Sequence, residues 1–249
     1  MNTLKRKTIV VAGGTGNVGS FLVQQLLEQG ARVVVPSRSE DKIQEFRSYI
    51  EKRNESLTER LHLIKGNLSD EEEARHILER ITNEVSKPDA AISSLGYFVP
   101  APSLLNINFE DLDRVTDGYL TAHFKVARTF LPVFQENGGT LIFINGPLAF
   151  EPWDGSGLVS IATAAQHMLF KTIAKESTES RAQVVEIVNY AYIRNRETQP
   201  SSSISGDDVG KYVAWLISEN SGGYHGESIH LSSPDQVRKI EKVSHASVL

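Results

Sequence analysis

Seven short runs of apolar and β-branched residues recur along the chain, each closed by turn residues: "TIVVAGG", "RVVVPS", "LHLIKGN", "DAAISSLG", "GTLIFING", "QVVEIVNY" and "ESIHLS". None alternates strictly between apolar and polar positions, which is the pattern of strands covered on both faces. Helical periodicity fills the intervals and predicts helices near 17–29, 40–53, 69–85, 108–136, 158–178 and 206–220. The last begins at "SGDDVGKYVAWL", where Ser205 or Asp207 is placed to cap and the first turn is acidic. Strand and helix alternate throughout, so the expected fold is α/β, a doubly wound, seven-stranded parallel sheet with helices on both faces. No linker or repeat interrupts the pattern, and residues 1–249 are expected to form one domain. The stretch "TQPSSSISG" at 198–206 lies too close to the C-terminus to divide two domains and is expected to be a surface loop.

The first strand ends in "AGGTGNVG", with Gly13, Gly16 and Gly19 immediately ahead of the helical pattern "SFLVQQLLEQG". In a strand–turn–helix setting each glycine has a physical reason. Gly13 permits the tight turn, Gly16 lets the backbone approach a pyrophosphate, and Gly19 allows close packing of helix on strand. Thr15, Asn17 and Val18 complete the loop and the helix start, so Gly13, Thr15, Gly16, Asn17, Val18 and Gly19 are the expected phosphate-binding residues.

The second strand ends near Ser37 and Arg38, where a site for NAD(H) offers Asp or Glu to the adenosine ribose. A carboxylate there repels a 2′-phosphate, whereas Arg38 presents a planar fork of donors and Ser37 a hydroxyl. The missing carboxylate favours NADP(H) over NAD(H). The alternative for Arg38 is a solvated side chain in a loop.

Composition narrows the function. The formal net charge of −5, with no unopposed Lys/Arg cluster, argues against a nucleic-acid or anionic-membrane partner. The absence of cysteine excludes disulfides, thiolate nucleophiles and Cys-ligated metals. No apolar segment approaches the roughly 18 residues needed to span a bilayer. The expectation is therefore a soluble, cytoplasmic protein with a small-molecule substrate or ligand.

With these landmarks in order along the whole chain, the sequence resembles the short-chain dehydrogenase/reductase family, a Rossmann-type fold. Asn67, with Leu68, falls where the family has an Asp that meets the adenine ring. The segment "SSLG" (Ser94, Leu95 and Gly96 preceded by Ser93) falls on its Asn-Asn-Ala-Gly motif. "HFKVARTFLPVF" and "GTLIFING" resemble the fourth helix and fifth strand, and "DDVGKYVAWLISENSGGYHGESIHL" the last helix and strand. The resemblance implies nicotinamide-dependent hydride transfer and a homodimer or homotetramer assembled through the fourth and fifth helices.

The polar positions that the resemblance makes catalytic are another matter. Counting back from Pro132 puts Tyr119 where the family has a relay asparagine. The serine position falls on Gly146, beside Asn145. The tyrosine and lysine positions fall on Val159 and Thr163, within "VSIATAAQH". A check free of alignment agrees: four residues beyond the tyrosines at 49, 97, 119, 190, 192, 212 and 224 stand Arg, Ala, His, Arg, Arg, Leu and Ser. None is lysine, and the seven-residue spacing of the enoyl-reductase branch fails as well. "NYAYIRN" replaces the family's Pro-Gly, and the segment from Asn195 to Ser205 is short for a substrate lid.

Hydride transfer to a simple ketone creates an alkoxide, and a positioned acid normally contributes about 10²- to 10⁴-fold. The replacements on offer are Tyr119 and His123, four apart on one helix, and His167, one turn beyond Thr163; Tyr97 follows the cofactor-facing loop. The competing account is packing, the usual fate of an aromatic at helical spacing. Thr163 keeps a hydroxyl for a ribose oxygen but not lysine's charge. His62, His76, His225, His230 and His245 show no metal-site spacing, and no metal is expected. "DEEEAR" at 70–75 is accounted for by the helix dipole. A serine-hydrolase alternative fails for want of a G-x-S-x-G elbow. Two functions remain: an NADP(H)-dependent oxidoreductase with a non-standard active site, and a non-catalytic NADP(H)-binding sensor or regulator.

Overall fold

The computed structural model describes residues 3–100, 103–191, 193, 204–218 and 221–246. Seven strands form one parallel sheet: β1 (Thr8–Ala12), β2 (Arg32–Ser37), β3 (Leu61–Lys65), β4 (Ala90–Ser93), β5 (Gly139–Asn145), β6 (Ala182–Asn189) and β7 (Ser228–Leu231). Their order is β3-β2-β1-β4-β5-β6-β7. All strands run the same way, but the order in which they are added reverses between β1 and β4, the point at which an open α/β sheet leaves a crevice at its carboxyl ends.

Each strand is apolar on both sides because each side has its own core. Ile9 and Val11 of β1, Ile92 of β4 and Ile142 of β5 join the cluster under α1 (Asn17–Glu28), α2 (Glu40–Arg53) and α7 (Gly206–Ser218). Val10, Ala91, Leu141 and Phe143 face the opposite way, toward α3 (Glu71–Arg80), α5 (Ala122–Asn137) and α6 (Gly157–Glu176). Successive residues alternate between these cores, the period-two geometry of a strand. Close helix packing has a visible cause. A Cβ on Gly206 or Gly210 of α7 would meet Phe21 at 2.5 Å or Gln25 at 2.7 Å, so two glycines let α7 lie against α1.

Helix starts follow the capping chemistry of the sequence. Ser39 caps α2, Asp70 caps α3, and Asn108 caps α4 (Phe109–Thr116). Of the two residues suggested for α7, Ser205 is the cap. Its Oγ accepts from Asp208 N at 3.1 Å while the Asp208 carboxylate accepts from Ser205 N at 3.0 Å. Asp207 instead accepts from Gln25 Nε2. The span predicted as one helix at 108–136 comprises α4, a π-helical turn at Asp117–Thr121 and α5 in continuous succession. Residues 194–203, which hold most of the expected loop at 198–206, most of the Asn195–Ser205 segment and part of "NYAYIRN", lie outside the described residues, as do residues 219–220.

One helix was not expected. α8 (Pro234–Ala246) follows β7 and buries Val237 and Ile240 in the core beside α7. Its start signal was present as "SSPDQ": Gln236 Oε1 accepts from Ser232 N and Ser233 N, and Pro234 occupies the first helical position. Its strongly polar composition hid the periodicity.

Candidate active site

Two loops meet at the crevice. β1 runs into Gly13, whose φ of +82° favours glycine, and a Cβ there would stand 2.1 Å from Ser94 O in the loop after β4. Ser94 N donates to Ala12 O at 2.9 Å, so the loops are stitched together at their roots. Gly16 begins α1 with no side-chain cap, and no acidic residue stands in the first turn, leaving a helix N-terminus suited to an anion. Gly19 lies beneath, where a Cβ would meet Gly13 O at 2.2 Å.

A cleft of about 880 Å³ opens over these loops. Of the sequence-derived binding residues, Gly13, Thr15, Gly16, Ser37, Arg38, Asn67, Leu68, Ser94, Leu95 and Gly96 line it. Asn17, Val18 and Gly19 sit behind the lining, in the first turn of α1. Asn67 Oδ1 accepts from Ser69 N at 3.0 Å, which fixes the turn after β3, and its Nδ2 makes no hydrogen bond to another described residue. Sequence reasoning missed the other cations at the cleft. Lys42, in the first turn of α2, lies beyond Arg38, and Lys125 faces them from α5. No ion pair holds Arg38, Lys42 or Lys125 among the described residues. Arg114 also lines the cleft, tied to Asp111 at 2.6 Å. The signal for Lys42 was a lysine in the first turn of a helix, where an acidic residue is the norm.

The replacement acids do not reach this cleft. Tyr119 packs its ring on Gly96 and donates its hydroxyl to Tyr97 O at 2.7 Å; burial pushes its pKa up to about 12. His123 is fully buried, 2.7 Å from Ser93 Oγ and 3.1 Å from Leu95 O, and burial lowers its pKa to about 4. His167 turns toward β6, its Nδ1 2.6 Å from the carboxylate of Glu186. That buried carboxylate also accepts from Asn145 Nδ2 at 2.9 Å and Ser228 Oγ at 2.6 Å. Of the candidate side chains Tyr97, Tyr119, His123 and His167, Tyr97 alone lines the cleft, its ring beside Gly118 and its hydroxyl 3.4 Å from Arg114 O.

Family comparison accords with this architecture. Residues 7–199 match the family model described as short chain dehydrogenase. This chain belongs to the short chain dehydrogenase family. An uncharacterized oxidoreductase of Staphylococcus aureus (strain MRSA252) is 23% identical over 224 residues, covering 88% of this chain and 94% of that protein. One from Staphylococcus epidermidis is 22% identical over 188 residues, covering 75% and 78%. Among solved structures, a short chain dehydrogenase from Shigella flexneri complexed with NADP superposes with a TM-score of 0.80 at 18% identity, covering 92% of this chain and 98% of that one. Another from Pseudomonas syringae gives 0.79 at 19% identity, covering 92% and 96%. At these identities the structural likeness establishes the fold.

The sequence reading placed the family's catalytic serine, tyrosine and lysine positions on Gly146, Val159 and Thr163. Val159 is buried in an apolar cluster with Val115, Tyr119, Leu158 and Ala162. Thr163 is buried too, its hydroxyl donating to Val159 O at 2.7 Å within its own helix, a local bond that occupies the proton. Gly146 accepts no substrate oxygen through a side chain; a Cβ there would meet nothing within 4 Å. Asn145 spans the gap behind it, donating to Thr163 O at 3.1 Å as well as to Glu186. No group of three or more potential metal ligands occurs among the described residues, and no helix among them is long and apolar enough to cross a membrane.

Proposed function

We propose that this chain binds NADP(H) in the cleft and does not reduce ordinary carbonyl compounds with an acid of its own. The observation that carries the reading is the pairing of an open, cationic cleft with a closed, apolar position 159. The fit to a dinucleotide rests on the cradle: Gly13 and Gly19 leave no room for a Cβ, and the α1 N-terminus is uncapped. Arg38 and Lys42 supply two cations where the second strand delivers an adenosine ribose, which favours a 2′-phosphate. Ser37, Asn67, Leu68, Ser94, Leu95 and Gly96 line the remainder of the dinucleotide path, and Asn17 and Val18 direct the helix N-terminus at the pyrophosphate.

When bound, NADPH supplies a hydride, and the chain's residues then decide what receives it. Tyr119, His123 and Thr163 all have their protons committed to protein acceptors or lie buried, so a ketone gains no donor from them. The reading is therefore a redox-state binding protein, in which cofactor affinity rather than turnover is the output. A second reading, hydride transfer to an acceptor that takes its proton from water, is favoured by the open space beside Gly146. Assembly fits the first as well as the second: Phe124 of α5 and Ile161 and Met168 of α6 are exposed, at 45%, 47% and 60%, on the helices proposed to form a homodimer or homotetramer.

Isothermal titration with NADPH, NADP⁺, NADH and NAD⁺ tests the reading. Tighter binding of NADPH than NADH, different affinities for NADPH and NADP⁺, and no NADPH consumption across aldehydes and ketones are expected. Carbonyl turnover at rates typical of enzymes, about 1 s⁻¹ or faster, overturns it; consumption confined to activated alkenes or imines selects the second reading.

A further inference from the structure

Tyr119 and His123 share one helix side, and both reach the same short stretch of chain. His123 takes the carbonyl of Leu95 and Tyr119 takes the carbonyl of Tyr97. Alternate carbonyls of the loop after β4 are thus drawn inward by two residues one turn apart. The protonation of the grip follows from its partners. Leu95 O can only accept, so His123 Nε2 carries the proton; Nδ1 is then the acceptor for the Ser93 hydroxyl. The Tyr119 phenol is held in its donor form by the same burial that raises its pKa.

The Leu95–Gly96 peptide is trans, as are all peptide bonds described, so its N–H points opposite to its C=O. With Leu95 O turned inward onto His123, Gly96 N–H is turned outward, where Gly96 lines the cleft. That N–H makes no backbone hydrogen bond to another described residue. The residue has to be glycine: φ is +120° and a Cβ would stand 2.4 Å from the Tyr119 ring. We propose that Tyr119 and His123 are positioning residues, which lock the Leu95–Phe98 loop so that Gly96 N–H donates to an acceptor oxygen of the bound dinucleotide. The proposal rests on the NADP(H) reading for its ligand, but the grip itself exists without one. It reassigns two side chains that chemistry alone marked as acids: their protons serve carbonyls of the protein, and their work is done through a backbone donor.

The test uses the full chain and three variants, with NADPH as the probe. Tyr119→Phe removes one hydroxyl and keeps the ring; His123→Leu removes both imidazole bonds; His123→Gln restores a donor for Leu95 O. Losing one anchoring bond is expected to weaken NADPH binding about 3- to 10-fold in Tyr119→Phe and at least as much in His123→Leu, with His123→Gln recovering most of it. Phe130→Leu, a core change on the same helix, lowers the melting temperature and leaves affinity unchanged, which separates positioning from general destabilisation. In ¹⁵N-labelled protein without ligand, His123 is expected to show the Nε2–H tautomer and no titration between pH 5 and pH 8. NADPH is then expected to protect the Gly96 amide from exchange. Binding by both Tyr119→Phe and His123→Leu within two-fold of the unsubstituted protein, or an unprotected Gly96 amide at NADPH saturation, overturns the proposal. If His123→Leu does not fold, Tyr119→Phe and the Gly96 amide decide it. If the unsubstituted protein binds neither NADPH nor NADH, the functional reading has failed, and the tautomer measurement still judges the grip.

Discussion

Replacing Glu186 by alanine is expected to be among the most damaging single changes in the chain. The carboxylate is completely buried in β6 and accepts from Asn145 Nδ2, His167 Nδ1 and Ser228 Oγ at 2.9, 2.6 and 2.6 Å. Three elements besides its own strand therefore meet on it: β5, α6 and β7. Each hydrogen bond to a carboxylate contributes about 1.5–3 kcal/mol, and much of that sum is offset by the cost of taking the carboxylate out of water. Removing one member of such a network leaves the others stranded, at a cost of about 3–5 kcal/mol. For a chain of this length that corresponds to a fall in Tm of about 6–20 °C. Asn145 retains Thr163 O and His167 retains partial exposure, so the lower half of the range is favoured. Glu186→Gln, which keeps the volume and one acceptor, is expected to cost about 1–2 kcal/mol. Urea unfolding followed by circular dichroism measures both. A Glu186→Ala variant within about 1 kcal/mol of the unsubstituted protein would refute the claim that this carboxylate ties the three elements together.

Other expectations follow from the cleft and its supports. Arg38→Glu should weaken NADPH binding about 10- to 100-fold while changing NADH much less, as read by titration calorimetry; equal losses for the two cofactors would remove Arg38 from the 2′-phosphate. Gly13→Ala forces a Cβ to 2.1 Å from Ser94 O at a φ of +82°, so at least a 10-fold loss of dinucleotide affinity is expected from the parted loops, and affinity retained within two-fold would contradict the stitched geometry. The burial of His123 has a pH signature. Its pKa falls from 6.5 unfolded to about 4 folded, so the unfolded chain gains the proton first. The stability contribution is whole above pH 6.5 and is lost as pH falls toward 4, about 2 kcal/mol of it by pH 5. His123→Gln should flatten that part of the urea-stability profile, and an unchanged slope between pH 7 and pH 5 would argue that the imidazole is not neutral in the fold.

The sheet was legible because a parallel strand is apolar on both sides, and "TIVVA", "RVVVPS" and "GTLIFIN" leave no alternative to burial between two helical layers. The glycine loop was legible because Gly13 and Gly19 answer to steric limits that any reader of the spacing can apply. α8 was not, since its two core contacts, Val237 and Ile240, are separated by charged residues and its stability comes from packing on α7. That no tyrosine has a lysine four residues on was visible from residue types alone. The surroundings of Val159 were not: its apolar cluster draws on Val115, Leu158 and Ala162 from two helices, and only the fold brings α4 against α6. Lys42 and Lys125 escaped for a similar reason, being solvated lysines in sequence and cleft walls in space. The i, i+4 spacing of Tyr119 and His123 correctly placed them on one side of a helix, but polar chemistry on a helix side does not reveal whether its partner is a ligand or a backbone carbonyl.

The packing of Val159 against Tyr119 limits what position 159 can hold. A tyrosine placed at 159 would have to find room in an apolar cluster that Tyr119 already shares, and a lysine placed at 163 would enter a position that is itself buried. Making room at 159 therefore involves position 119, whose change also releases the loop at Tyr97. Ordinary side-chain packing thus couples what position 159 can hold to the anchoring of a loop that lines the cleft.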